Sequence, residues 1–174
     1  SEIGHLSKME HFVLKNETGL MGAIPSTIGK MTSLLQLGLD NNRMAGSIPT
    51  EVFTLANLTY LNLEKNAFMG SLATQVGQMR SLETLILSNN KFNGTIPFLY
   101  MALIPTMEYL ALSGNEFTGP IHGAIRDYKA LRFLYLDRNQ LTGELPTSLA
   151  GADQLQSLNL DLNRLTGSLP AILG

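Results

Sequence analysis

The chain has 174 residues, of which 44% are hydrophobic and 15% charged, a balance typical of a folded protein rather than a disordered one. Its net charge of −2 argues against nucleic acid as a partner, and the absence of cysteine excludes disulfides and cysteine-ligated metals. No apolar run approaches the ~20 residues of a transmembrane helix, so we expect no membrane span in this chain.

One sequence skeleton, LxxLxLxxNxLTGxLP, organises the chain and is clearest over residues 131–146. Copies begin 24 or 25 residues apart, at Leu34, Leu58, Leu82, Met107, Leu131 and Leu155, with an irregular copy at Met9. This spacing falls in the range of leucine-rich repeats, which stack into solenoids because each unit packs only on its neighbours. We therefore expect residues 1–174 to form a single array of about seven repeats.

The two ends of the chain stop at nearly the same phase of the repeat. Residues 1–8 match the second half of a repeat, as residues 26–33 do, and residues 169–174 break off at a similar point. Solenoids normally end in atypical capping repeats with a polar outer face, and neither end has that composition. We therefore expect an uncapped interior slice of a longer protein. No signal-peptide pattern follows Ser1, so any targeting segment would lie outside this sequence.

The order of residues within a repeat predicts the fold class, an α/β leucine-rich-repeat solenoid. The LxxLxL part alternates apolar and polar residues and predicts a short strand, so stacked repeats form a parallel sheet on one face. The Ile-Pro or Leu-Pro step extends the chain, and a short helical or 3₁₀ return closes each coil on the other face. We expect the asparagine after each strand to turn inward and bond the backbone of the bend: Asn42, Asn66, Asn90, Asn115, Asn139 and Asn163.

Two irregularities interrupt the return segments. Ala73 and His122 replace the usual proline, and residues 98–106 contain one extra residue beside a second proline, Pro105. Insertions in repeat proteins map to surface loops, where binding sites are often found. A tolerated loop extension without a function explains the same observation, because lengthening a surface loop costs little free energy.

The LTGxIP half of the repeat carries a family resemblance. Residues Met44–Pro49, Leu141–Pro146 and Leu165–Pro170 resemble the plant-specific leucine-rich-repeat subfamily, and the resemblance covers essentially the whole chain. That subfamily includes receptor-kinase ectodomains and polygalacturonase-inhibiting proteins, and similar arrays occur in algae and diatoms. The resemblance implies a curved or twisted solenoid, a second small sheet near the GxIP segments, and recognition of peptides or proteins. The paired-cysteine caps usual in plant ectodomains are missing.

The outward-facing strand positions are the candidate binding surface. Aromatic side chains on a rigid sheet can anchor a partner at small entropic cost, and neighbouring carboxylates can receive a Lys or Arg. We predict a ligand-binding set of Tyr60, Asn62, Glu64, Tyr109, Phe133, Tyr135, Asp137 and Arg138. The alternative is that aromatics merely suit strands and the acids solvate the face.

These features predict a non-catalytic module that binds a protein or peptide on its concave strand face. One alternative is a structural subunit that supports a larger assembly through its flanks, and another is an inhibitor of a secreted hydrolase. An enzyme is not expected, because His5, His11 and His122 occupy different repeat positions without acid partners or metal-ligand spacing. Accordingly we predict no cofactor and no metal.

Two further surface patterns bear on function. Asn16, Asn57 and Asn93 begin N-x-[ST] sequons, so they are candidate glycosylation sites. Mainly because of the resemblance, we expect the secretory pathway, and an organellar or intracellular location is the alternative. Hydroxyl residues recur around the repeat glycines and could in principle order ice. The two hydroxyl columns are broken by Pro120, Glu144 and Asn93 among others, which argues against ice binding.

Overall fold

A computed structural model describes residues 6–169; His5 and both chain ends, on which the expectation of missing caps depends, lie outside this range. Within it the chain forms two parallel sheets of seven strands each. The first sheet contains β1 (His11–Val13), β3 (Gln36–Gly38), β5 (Tyr60–Asn62), β7 (Thr84–Ile86), β9 (Tyr109–Ala111), β11 (Phe133–Tyr135) and β13 (Ser157–Asn159). The second contains β2 (Met21–Gly22), β4 (Arg43–Gly46), β6 (Ala67–Ser71), β8 (Lys91–Thr95), β10 (Glu116–Pro120), β12 (Gln140–Glu144) and β14 (Arg164–Thr166).

Strand register in the first sheet follows the repeat. Each strand between β1 and β13 pairs with the strand one repeat earlier and one repeat later, so equivalent positions lie side by side. Thr84 pairs with Tyr60 and Tyr109, and Tyr109 in turn pairs with Phe133. The columns of outward residues predicted from the sequence are therefore physical columns on this sheet.

The core runs between the two sheets and the return segments. The central leucine of each interior strand of the first sheet is fully buried, as at Leu61 and Leu85. Phe68, Phe92 and Phe117 form a stack in three successive repeats, with ring centroids 6.3 Å apart and planes 11° apart. These three rings add to the buried aliphatic core that holds neighbouring coils together.

The inward asparagines bond the backbone as predicted. At Asn90, Nδ2 donates to the carbonyl oxygens of Leu63 at 2.9 Å and Leu87 at 3.0 Å, and Oδ1 accepts from the Phe68 N–H at 3.0 Å. One side chain therefore satisfies backbone groups of two adjacent repeats, which a bend without regular pairing would leave buried and unbonded.

Five of the returns are 3₁₀ turns, each preceded by an extended residue: Ser26–Lys30, Thr50–Thr54, Thr74–Gln78, Gly123–Asp127 and Thr147–Gly151. Ala73 and His122 adopt the same extended conformation as the prolines that they replace. His122 also caps its turn, because its Nδ1 accepts a hydrogen bond from the Ala124 N–H at 3.0 Å. The predicted solenoid with 3₁₀ returns and a second sheet is confirmed.

The repeat with the extra residue differs from the others. Its return is an α-helical turn, α1 (Phe98–Met101), which exposes Leu99, Tyr100 and Leu103 on the outside of the array. α1 approaches the preceding return so closely that a Cβ on Gly77 would collide with the carbonyl oxygen of Tyr100. The insertion is therefore an ordered turn packed on its neighbour.

Candidate functional site

Three of the predicted aromatic residues form one cluster on the outward face of the first sheet. Tyr109 contacts Phe133 with ring centroids 5.7 Å apart and a 42° tilt, and it contacts Tyr135 edge-on at 5.5 Å. All three rings are half-buried. The cluster follows from register, because Tyr109 and Phe133 are paired neighbours and Tyr135 lies two residues further along β11 on the same face.

Tyr60 lies two repeats before Tyr109 in the same column. Its hydroxyl oxygen accepts a hydrogen bond from Asn62 Nδ2 at 3.1 Å, which fixes the position of the ring edge. Asn62, a member of the predicted ligand-binding set, is only 5% exposed. Its Oδ1 accepts the Glu64 N–H at 2.9 Å, so the side chain is used within the fold and supports Tyr60 and Glu64 from below.

Asp137, a second member of the predicted set, is only 7% exposed. Its carboxylate accepts from the Ser113 hydroxyl and from Arg138 Nε, the latter at 2.9 Å. Asp40, the equivalent acid near the start of the array, is buried as well and lies beside Lys15. Both carboxylates are therefore engaged within the fold, since Asp40 also accepts from Asn41 Nδ2 at 3.1 Å and lies 3.4 Å from Lys15 Nζ.

A cleft of about 230 Å³, which we call the Tyr109 cleft, opens beside the aromatic cluster. In the register of the first sheet, Ala111 lies between Ile86 and Tyr135. A methyl group between two larger side chains leaves a depression, and this explains where the cleft forms. Its lining consists of Glu64, Ile86, Ser88, Asn89, Tyr109, Ala111, Ser113, Tyr135 and Arg138.

Four of the predicted residues thus line one concavity: Glu64, Tyr109, Tyr135 and Arg138. Sequence reasoning missed the small and neutral members of the lining. The signal that could have identified them was the small side chain of Ala111 between Ile86 and Tyr135. Phe133 supports the cluster from its other side without lining the cleft.

The lining of the Tyr109 cleft combines a neutral phenol with two oppositely charged side chains. Burial raises the pKa of Tyr109 above its ordinary value, and the neighbouring Tyr135, Glu64 and Tyr60 raise it further. The phenol therefore stays protonated at neutral pH and can donate or accept a hydrogen bond. Glu64 and Arg138 supply a carboxylate and a guanidinium to the same lining.

The three sequon asparagines have different surroundings. Asn93 is exposed on β8 of the second sheet, and its side chain has no hydrogen-bond partner within residues 6–169. Asn57 is exposed but donates through Nδ2 to the Thr32 carbonyl oxygen at 3.0 Å. Asn16 is exposed in a bend with a φ of 60°.

The part of the chain that the structure describes contains no group of three or more His, Asp or Glu side chains placed to hold a metal ion. It also contains no helix long and apolar enough to cross a membrane.

Comparison with known families identifies the class of protein. Residues 32–92 match a family model described as a leucine-rich repeat, and residues 130–152 and 154–174 match a second model of that description. Together these segments cover more than half of the chain, which therefore belongs to the leucine-rich-repeat family. No curated protein sequence matches the chain, and no enzyme family is indicated by these matches.

Solved structures place the chain among plant-type leucine-rich-repeat proteins. It is 31% identical to the plant peptide hormone receptor RGFR1 in complex with RGF2, with a TM-score of 0.95, covering 99% of this chain and 27% of that one. It is also 31% identical to the ectodomain of the receptor kinase GASSHO1/SCHENGEN3 from Arabidopsis thaliana, in complex with CASPARIAN STRIP INTEGRITY FACTOR 2, with a TM-score of 0.95. Here the coverage is 99% of this chain and 20% of the receptor ectodomain.

A third match is a plant ice-binding protein, at 28% identity and a TM-score of 0.81, covering 88% of this chain and 57% of that one. The two receptor chains are much longer, since this chain spans only 27% of the first and 20% of the second. The predicted resemblance to plant-type leucine-rich-repeat proteins is confirmed.

Proposed function

We propose that this chain is a non-catalytic module that binds a protein or peptide on the outward face of its first sheet, the face predicted to be concave. The observation that carries the proposal is the cluster of Tyr109, Phe133 and Tyr135 beside the Tyr109 cleft. Large rings held by strand pairing lose little entropy when a partner covers them, and aromatic anchors dominate binding energy at protein interfaces.

The similar receptor structures support the same class of ligand. Both are complexes, with RGF2 and with CASPARIAN STRIP INTEGRITY FACTOR 2 respectively. Our chain is similar to a segment of each array, so peptide recognition along such a segment is the simplest use of its exposed aromatic face.

The test uses the double variant Tyr109→Ala/Tyr135→Ala. Partners are first captured by the wild-type chain from an extract of its native source, and each is then titrated against purified variants. We expect a loss of affinity of at least about thirtyfold for a partner bound on this face, the usual size of a hot-spot effect. The matched control is Tyr100→Ala, which removes an exposed tyrosine from the opposite side of the coil.

A second double variant, on the return segment, tests the scaffold alternative. A structural subunit that docks through its returns should lose its partner with Leu99→Ala/Tyr100→Ala and keep it with the double variant on the sheet. That pattern would overturn the proposed placement. Inhibition of a secreted hydrolase is a special case of binding on the sheet, and an activity assay with a pectin-cleaving enzyme tests it directly.

Ice binding is the second candidate, favoured by the similarity to a plant ice-binding protein. Thr118, Thr142 and Thr166 are exposed at equivalent positions of successive strands in the second sheet. We expect no inhibition of ice recrystallisation, because Glu144 and Pro120 interrupt the parallel column and a flat hydroxyl lattice does not form. Inhibition that is lost in Thr142→Leu would assign this function to the second sheet.

We further propose that the protein follows the secretory pathway and carries a glycan on Asn93. Its free, exposed amide on the second sheet would leave the Tyr109 cleft open. Peptide mapping of the protein from its native source tests this. Sugar on Asn93 supports the proposal, and an unmodified Asn93 in a chain without glycans contradicts it.

A further inference from the structure

The Tyr109 cleft has one carboxylate whose hydrogen-bonding capacity is used only in part. The Glu64 side chain is 28% exposed, and one of its oxygens lies 3.7 Å from Lys65 Nζ and 3.4 Å from Asn89 Nδ2. Its other oxygen has no partner within residues 6–169. Asp137 differs from Glu64, because both of its carboxylate oxygens already accept hydrogen bonds, from Ser113 and from Arg138. Glu64 is therefore paired with Lys65 through one oxygen, and its other oxygen is open to a donor from outside.

The opposite end of the cleft has a cation that the fold uses only in part. Arg138 uses Nε to bind Asp137 at 2.9 Å, and its side chain is 59% exposed. Its two terminal nitrogens have no partner in the described part of the chain. A guanidinium held through Nε presents these nitrogens in a fixed plane, which suits bidentate contact with a carboxylate.

The two charged ends are separated by the neutral part of the lining. Glu64 and Arg138 belong to repeats three apart, and strands lie ~4.8 Å from one another, so their backbones are roughly 14 Å apart. Ala111 and Ser113 form the low floor between them, and the Tyr109 and Tyr135 rings form a wall. An extended peptide rises ~3.3 Å per residue, so about four residues span the distance.

We propose that the Tyr109 cleft recognises a peptide segment carrying a basic side chain at the Glu64 end and an acidic group at the Arg138 end, no more than about four residues apart. This inference rests on the proposed function and specifies its ligand chemistry. The ring of Tyr109 adds to recognition of the basic group, since a cation beside an aromatic face gains a cation–π attraction. The segment between the two charged groups needs a side chain short enough to lie over Ala111.

The experiment is selection of a displayed random octapeptide library on the folded chain. We expect the selected peptides to be enriched in Lys or Arg, with Asp, Glu or the terminal carboxylate at a constant spacing. Selection on Glu64→Gln should abolish the enrichment in basic residues and leave the acidic one, and Arg138→Gln should do the reverse. Asp161→Asn removes a carboxylate outside the cleft lining and is the control for a mere change in net charge.

One selected peptide is then measured against each variant. We expect Glu64→Gln to weaken the binding of this peptide about tenfold. When the basic residue of the peptide is replaced by Gln, Glu64→Gln should have no further effect, because the contact between the two groups is already lost. Thermal melts of both variants confirm that they remain folded, so that a lost contact is distinguished from a lost fold.

The outcomes separate this inference from the proposed function. Peptides that require Tyr109 and Tyr135 but lack a charge pattern, or that ignore Glu64→Gln, overturn the bipolar recognition and leave binding on the sheet in place. Peptides that survive Tyr109→Ala/Tyr135→Ala bind elsewhere and overturn both, as does a selection that yields no peptide.

Discussion

Replacing one inward asparagine in the middle of the array should destabilise the fold far more than replacing the same residue at its edge. Asn115 is 8% exposed, and its Nδ2 donates to the carbonyl oxygens of Leu87 and Leu112, both at 3.0 Å. Its Oδ1 accepts from the Phe92 N–H at 3.0 Å. Asn42 makes an equivalent set of bonds, but two of the three are exposed to solvent.

The magnitude follows from the number of bonds and their burial. Each of the three bonds contributes about 1 kcal/mol net, and a buried N–H left without a partner costs about 1–3 kcal/mol more. Asn115→Ala should therefore lower the free energy of unfolding by about 4–6 kcal/mol. At Asn42 water replaces the lost partners, so we expect Asn42→Ala to cost about 1 kcal/mol.

Urea denaturation of both variants measures the difference, taken as a change in midpoint at constant slope. Hydrogen exchange of the Phe92 amide reports the same loss locally, because this N–H is the donor orphaned by Asn115→Ala. A cost below about 1 kcal/mol for Asn115→Ala, or one no larger than for Asn42→Ala, would refute the view that these asparagines hold adjacent repeats together.

Three other changes test the packing of the array. Gly77→Ala should cost about 2 kcal/mol in urea denaturation, because the new methyl group meets the backbone of Tyr100, whereas Gly151→Ala meets only a side chain and should be nearly neutral. Phe92→Ala removes the middle ring of the phenylalanine stack and should cost about 3–5 kcal/mol; a loss under 1 kcal/mol would contradict its role. Burial raises the pKa of Tyr128, so the tyrosine ionises first in the unfolded state and the free energy of unfolding should fall as pH rises above about 10. Tyr128→Phe should be less stable than the wild type at neutral pH but should lose less stability as pH rises, which denaturation at increasing pH measures.

Some features of the site could be predicted and others could not. The partnership of Tyr109 and Phe133 was predictable, because equal positions in successive repeats must pair. The edge-on contact of Tyr109 with Tyr135 depends on side-chain rotamers, which a repeat pattern does not encode. The burial of Asn62 and Asp137 was also missed. The alternation of apolar and polar residues predicts the face of the strand on which a side chain lies, but it does not predict that hydrogen bonds within the fold will bury that side chain.

The insertion shows the same limit. One extra residue in 98–106 predicted a longer surface segment, and the structure has α1 there, packed against the turn before it. The packing of α1 depends on its close approach to Gly77, a residue of the previous repeat. Such contacts between repeats lie outside the information in any single repeat.

The sequence by itself determined the solenoid, its register and its asparagine ladder, because a strict period leaves one way to stack units that each need a neighbour to bury their leucines. Only the tertiary structure decided where the Tyr109 cleft lies and which charges remain available in it. Those properties arise when Glu64, Ala111 and Arg138 from separate repeats come together. Whether a charged side chain can still bind a ligand depends on the hydrogen bonds that it makes within the fold.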